Sequence, residues 1–277
     1  MGTEISTDQS NEEPSGAVAD RENAVSADRA NELATGPLVG LLIALLAGAF
    51  CWVLLETIFP VFVISERLAN LPTPAPVEDL AELEMANRQA ARRNAILFLG
   101  ILGAVVGGSL AVGEGVLRRS GRIVLTAVLI GTAVAAVFGG LAGLNGHMAF
   151  DFHRPIEGLS PLAKTIRTQA AMLATFGLGI GMAVGMVSGR GRIALTCIVG
   201  GLLAGVLAGI VYPMLTAICF PGLATESVVP SQAIGRVVWI AVLTGLAGLI
   251  IPGVTRQRKS RPRPRRLASE QPSSPIG

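Results

Sequence analysis

The residue types best suited to chemistry in this chain are two histidines and one nearby carboxylate. His147 and His153 are the only histidines, and they flank Asp151. Imidazole and carboxylate groups are ligands that zinc, nickel and copper accept. In a continuous helix His147 and Asp151 share one face while His153 does not, so a metal site would need a turn or a fourth ligand. We therefore interpret the three as solvated loop residues and predict no metal and no other cofactor, while keeping them as the metal candidates.

Two acidic residues lie inside apolar segments. Glu56 and Glu114 each follow about 20 residues of apolar helix, which at roughly 1.5 Å per residue places them near an interface rather than at the membrane midplane. Glu114 also precedes Arg118 by four residues, the spacing of a helical ion pair. We predict that Glu56, Glu114 and Arg118 are interfacial charges. The six apolar spans defined below contain no other charged residue, which argues against a proton-coupled transporter.

Sequence signatures of enzymes are absent. The chain contains no H-E-x-x-H, no G-x-S-x-G and no phosphate-binding glycine loop before a lysine. Hydroxyl groups such as those of Ser109, Thr132 and Thr244 have no histidine at a similar depth to activate them. We predict that the protein is not an enzyme, and an intramembrane enzyme is the second alternative to the function given below.

The elements that carry these residues are membrane helices. The chain is 51% apolar and 15% charged, with a mean hydropathy of +0.60, and a membrane span needs roughly 20 apolar residues in helix. Backbone polar groups in lipid must be satisfied internally, so we predict an all-α integral membrane protein. Six segments qualify as spans: 37–59, 95–117, 123–144, 168–188, 193–212 and 237–254.

Part of the chain is repeated. Residues 103–143 resemble residues 173–213, and the best match is the basic turn, where Gly121-Arg122-Ile123 corresponds to Gly191-Arg192-Ile193. Each copy has an apolar segment, a basic turn and a second apolar segment, which predicts a duplicated helical hairpin. Shorter similarities of span 1 to span 5 and of span 4 to span 6 leave open a third hairpin, with the spans paired 1–2, 3–4 and 5–6.

Small residues recur at every fourth position of the spans. This spacing lets helix backbones approach closely in lipid, so we predict that a set of glycines packs the helices together. The set is Gly103, Gly107, Gly131, Gly139, Gly177, Gly181, Gly185, Gly201, Gly205 and Gly209.

The two ends of the chain differ in charge. Residues 1–36 are acidic and poor in aromatic residues, which predicts disorder, and residues 256–277 form a basic tail that we also expect to be disordered. Residues 37–255 form the six-helix transmembrane domain between them. The short basic turns and the tail lie on one side of a six-span protein. By the positive-inside rule, both termini are predicted to be cytoplasmic and the membrane to be the inner membrane of the cell.

These patterns favour a non-enzymatic structural or accessory membrane subunit. The alternative is a permease or channel for ions or small solutes, which the repeats and possible helix breaks near Pro213 and Pro252 would support. The expected partners are the lipid bilayer, anionic lipid headgroups at the basic tail, and another membrane protein or a second copy of the chain. We predict no binding of nucleic acid.

Overall fold

The computed structural model describes residues 15–72, 75–117, 125, 127–187, 191–221 and 227–257. Its described residues contain helices and no strand, and six helices are long and apolar enough to cross a membrane. The fold is therefore that of an all-α multi-pass membrane protein, as the sequence predicts. The helices are α1 Ser15–Ile58, α2 Glu66–Ala69, α3 Val77–Leu117, α4 Thr132–His153, α5 Pro161–Val187, α6 Gly191–Cys219 and α7 Ala233–Gln257.

The first helix is longer than its apolar segment. α1 begins at Ser15, so helix covers much of the segment 1–36 that the sequence predicts to be disordered. The physical reason is that this segment contains several alanine and glutamate residues, which favour helix, and extending an existing helix costs far less than nucleating one. The membrane-crossing part starts at Pro37. α1 ends at Ile58, directly before Phe59 and Pro60, because proline has no N–H with which to continue the helix.

The connector after α1 is attached to the side of α3. Asn94 accepts hydrogen bonds from the backbone N–H groups of Val61 (3.2 Å) and Phe62 (2.9 Å), and its amide donates to the Phe62 carbonyl (2.8 Å). Arg93 stacks over the Phe62 ring at 5.8 Å. α3 itself runs unbroken from its charged N-terminal part into the apolar part, so span 2 begins as a helix that extends beyond the apolar segment.

The helix of the third span continues beyond the end of its predicted apolar segment. A π-helical turn, Ala127–Gly131, precedes α4, and α4 continues through His153. The sequence placed this span at 123–144 because hydropathy falls after Leu144, although helix geometry does not require apolar side chains outside the hydrocarbon. α5 then begins at Pro161, where the Ser160 hydroxyl accepts from the Ala163 N–H (3.2 Å) as an N-cap.

Two prolines that suggested broken helices lie inside continuous ones. Pro213 is within α6 and Pro252 is within α7. α6 also extends to Cys219, beyond the 212 limit expected from sequence. The neighbouring helices supply the packing that allows a proline in a membrane helix.

The six long helices form a closed set of neighbours. α3 packs against α4, α4 against α5, α5 against α6, α6 against α7, and α7 against α1, while α1 has a smaller contact with α3. The pairs α3–α4 and α5–α6 are antiparallel hairpins, as expected. Span 1 packs mainly against span 6 and less against span 2, so of the pairs 1–2, 3–4 and 5–6 the first has the smallest contact.

Glycines lie where the paired helices approach most closely. A Cβ atom added at Gly139 would overlap the Leu99 carbonyl, and one at Gly103 would overlap that of Ala135. In the second hairpin, the same test places Gly177 against the backbone of Gly201, and Gly205 against that of Leu173. Backbone cannot yield as a flexible side chain can, so a larger residue would force the helices apart.

The remaining predicted packing glycines also face their partner helices. A Cβ at Gly107 or Gly131 would meet Ala135 or Ala111 of the opposite helix. At Gly181, Gly185 and Gly209 the obstacle is again backbone of the facing helix, at Cys197, Ala194 and Ala170 respectively.

Candidate functional site

A cavity of about 870 Å³ with both charged and apolar lining residues lies at one end of the bundle. We call this end, where α1, α4 and α6 finish and α5 and α7 begin, the cavity end. The walls come from α3, α4, the start of α7 and the segments beside them. Its lining includes four arginines: Arg88, Arg92, Arg154 and Arg236.

A single carboxylate serves two of these arginines. Glu84 Oε1 lies 2.5 Å from Arg88 Nη2 and 3.4 Å from Arg154 Nη1. The first pair has the i,i+4 spacing along α3 and the second joins α3 to the end of α4. All three side chains are more than half exposed, so water screens the attraction and the pairs stabilise the fold only weakly. One acid shared by two bases leaves an excess of positive charge.

The fourth arginine connects the first and last spans. Arg236 donates from Nε to Glu56 Oε2 (3.0 Å) and from Nη2 to Glu56 Oε1 (2.6 Å), a two-point geometry that favours strong pairing. Its third nitrogen donates to the carbonyls of Pro230 and Ser231. The structure thus places Glu56 in an ion pair at the end of a span. Glu114 lies near the end of α3 at the other end of the bundle, and Arg118 lies outside the described residues.

The histidine candidates separate onto different faces of α4. His147 and Asp151 both line the cavity, and His147 also hydrogen-bonds to the backbone of Ala91. His153 instead packs edge-on against the ring of Phe152, and its Nδ1 is buried without a partner in the described structure. Within the described ranges no three His, Cys, Asp or Glu side chains come close enough to hold a metal ion.

The floor of the cavity is apolar and rests on a buried polar group. Phe98 lines the cavity and lies 6.2 Å from the ring of Trp239, which is fully buried. Trp239 donates from its indole nitrogen to Gln169 Oε1 (3.0 Å), and the Gln169 amide donates to the Val228 carbonyl (3.1 Å). These bonds hold α5, α7 and the segment before α7 together directly beneath the cavity.

A second cavity opens sideways. It measures about 830 Å³ and lies between α1, α3 and the start of α4, where α1 and α3 have little contact. Its lining is apolar except for Ser109 and Thr132. In a bilayer this surface faces the lipid chains, so an apolar lining is the expected composition.

Sequence reasoning did not find the cavity. The sequence-based predictions above assign no role to Arg88, Arg92, Arg154 or Arg236. The available signal was that Arg92 and Arg236 lie just before apolar segments and that Arg154 directly follows α4. No pattern within one segment shows that α3, α4 and α7 bring them together.

In comparisons with known proteins, no protein-family model, no curated protein and no solved structure matches the chain. The fold defines the class, a multi-pass membrane protein with six apolar helices. Function is therefore inferred from geometry alone.

Proposed function

We propose that the protein is a non-enzymatic structural or accessory subunit of a membrane assembly. The observation that carries this proposal is the filled interior of the bundle. The three helices that start or end beneath the cavity, α3, α5 and α7, contribute large side chains that are each no more than 1% exposed: Leu102, Val106, Phe176, Ile180, Trp239 and Leu243. A permeation path along the bundle axis would have to displace these side chains.

Close backbone contact supports the same proposal. In lipid, helix association depends on packing rather than on a hydrophobic driving force, and interdigitated glycines leave no free width between paired helices. Transporters commonly reach alternating access by rocking one group of helices against another. Helices packed this closely would resist such a movement. The helix breaks that would have supported a permease are also missing, because α6 and α7 continue through Pro213 and Pro252.

The packing favours an internal duplication as the origin of this architecture. Shifting by seventy positions turns the contact of Gly107 with Gly131 into that of Gly177 with Gly201. The same shift turns the contact of Leu99 with Gly139 into that of Gln169 with Gly209. A duplicated hairpin would keep such pairs in register, whereas chance glycine matches would not.

A third copy is best sought in the pair formed by α7 and α1. A Cβ at Gly248 of α7 would lie 2.6 Å from the Gly40 carbonyl oxygen and 2.8 Å from Ala44 Cβ. A Cβ at Gly48 of α1 would meet the side chains of Ile240 and Thr244. We infer three related helix pairs, in which the third is assembled from the last and first spans.

Two experiments test the proposed function together. Purified protein in liposomes should show no flux above empty liposomes for a panel of ions and small solutes, while a channel-forming peptide in the same liposomes gives a signal. Cross-linking in intact cells, followed by purification, should yield one membrane protein, or a second copy of the chain, in fixed stoichiometry. Saturable flux of any solute would overturn the structural role in favour of the permease.

The proposed location is the inner membrane with both termini in the cytoplasm, where the basic tail would contact anionic headgroups. The variant Ser120→Cys, made in a background without the three native cysteines, tests this orientation. A membrane-impermeant thiol reagent should label it only after the membrane is permeabilised. Labelling in intact cells would invert the orientation.

A further inference from the structure

We propose that the cavity at the cavity end binds an amphipathic anion, with an oxyanion head group against the arginines and an apolar body on the aromatic floor. This inference goes beyond the structural role and does not depend on it. The chemical class is a carboxylate or phosphate ester that carries a hydrocarbon chain.

Charge is the first reason. The cavity is lined by four arginines and by one acid, Asp151. The outside acids Glu84 and Glu56 already engage Arg88, Arg154 and Arg236, and the full set still has more bases than acids. Arg92 forms no ion pair with any described residue, and it lines the cavity together with His147. An oxyanion is the ligand that matches a guanidinium group without a partner.

The floor is the second reason. Phe59, Phe98 and Phe150 line the cavity together with Val228 and Val229. A small inorganic anion would leave these walls in contact with water, whereas a hydrocarbon chain would cover them.

Size agrees with this class. A volume of about 870 Å³ lies within the usual range for small-molecule sites of roughly 300–1,000 Å³.

The cavity also lies at the depth where such a molecule would arrive. Along α3 the charged residues end at Arg93 and the apolar run begins at Ala95, both within or beside the lining. The cavity therefore crosses the boundary between headgroups and hydrocarbon. An anionic phospholipid could enter from the bilayer, and a free fatty acid could enter from water, with the same head-and-chain chemistry.

Tryptophan quenching gives a direct test in the full-length protein. The chain has two tryptophans, so the variant Trp52→Phe leaves Trp239 as the only reporter, next to Phe98 on the cavity floor. In an uncharged detergent, three brominated probes are titrated separately: a fatty acid, a phosphatidylglycerol and a phosphatidylcholine. The two anionic probes should quench Trp239 saturably, and phosphatidylcholine should quench only in proportion to its concentration.

Charge variants in the same background make the test specific. Arg92→Gln should raise the apparent Kd roughly tenfold through loss of a charge-assisted hydrogen bond. Glu84→Gln, which releases Arg88 and Arg154, should lower it roughly threefold. Arg67→Gln is the matched control, because Arg67 is exposed, pairs with Glu82 and does not line the cavity.

The outcomes separate the source of the ligand from the failure of the proposal. If only phosphatidylglycerol quenches saturably, the ligand comes from the bilayer. If only the fatty acid quenches saturably, the ligand comes from water. Either result supports the site. Equal quenching by phosphatidylcholine, or an unchanged Kd for Arg92→Gln in protein with a normal melting temperature, overturns it.

Discussion

Replacing Gly139 with alanine is the sharpest test of the glycine packing, because the adjacent glycine provides the control. A Cβ at Gly139 would overlap the Leu99 carbonyl oxygen and would lie 2.8 Å from the Leu99 carbonyl carbon and 3.1 Å from Gly100 Cα. These are backbone atoms of α3. A Cβ at Gly140 would have its nearest neighbour at 3.5 Å, on the Ile96 side chain, which is ordinary contact.

The magnitude follows from the difference between the two positions. Alanine gains about 1 kcal/mol over glycine in a helix interior, and this gain is common to both variants. Overpacking a tight site costs about 1–3 kcal/mol, and backbone obstacles place Gly139 in the upper part of that range. Gly139→Ala should therefore be less stable than Gly140→Ala by about 2–3 kcal/mol. Gly139→Leu should prevent the native pairing of α3 with α4.

The assay is reversible unfolding in mixed micelles at increasing mole fraction of sodium dodecyl sulfate, followed by tryptophan fluorescence. The free energy of unfolding is compared for wild type and the two alanine variants. Equal changes in the free energy of unfolding for both variants would show that glycine is not specifically required at position 139. Close approach of α3 and α4 would then not be what stabilises the hairpin. A larger loss for Gly140→Ala would contradict the contact geometry itself.

Three further predictions use the same unfolding measurement. Gly209→Ala should lose about as much stability as the Gly139 variant, because its Cβ would also meet backbone, and an unchanged value would remove the support for a duplicated packing pattern. Glu56→Gln and Arg236→Gln should each lower the free energy of unfolding by about 1 kcal/mol, and the double variant should lose no more than either single variant. Fully additive losses would mean that the two side chains do not interact. Gln169→Leu should cost about 1–3 kcal/mol because the Trp239 indole and a backbone carbonyl lose their partner, and wild-type stability would show that the buried hydrogen bonds are dispensable.

Hydropathy was enough to predict six spans, and the repeated basic turn was enough to predict the two hairpins. The hydrocarbon core imposes a length on each span, and a short turn forces its two helices to be neighbours. The cap at Ser160 and the end of α1 before Pro60 also depend on local chemistry. Each of these features depends on residues close together in sequence.

The features that were missed depend on distant residues or on elements without a sequence signal. Pairing of α1 with α7 joins helices from the two ends of the chain, and Arg236 finds Glu56 across 180 positions. The π-helical turn before α4 also has no local signature. The cavity was not predicted because its lining comes from five separate parts of the chain, each unremarkable by itself.

Pairing of the first span with the last has a consequence for biogenesis. The ribosome adds about 5–20 residues per second, so Arg236 is made roughly 10–40 s after Glu56 at a separation of 180 residues. During that interval α1 is in the membrane while the helix that covers Gly40 and Gly48 has not yet been synthesised. A chain that terminates before α7 would keep this packing face uncovered, which makes the face available to membrane chaperones and proteases that monitor unassembled helices.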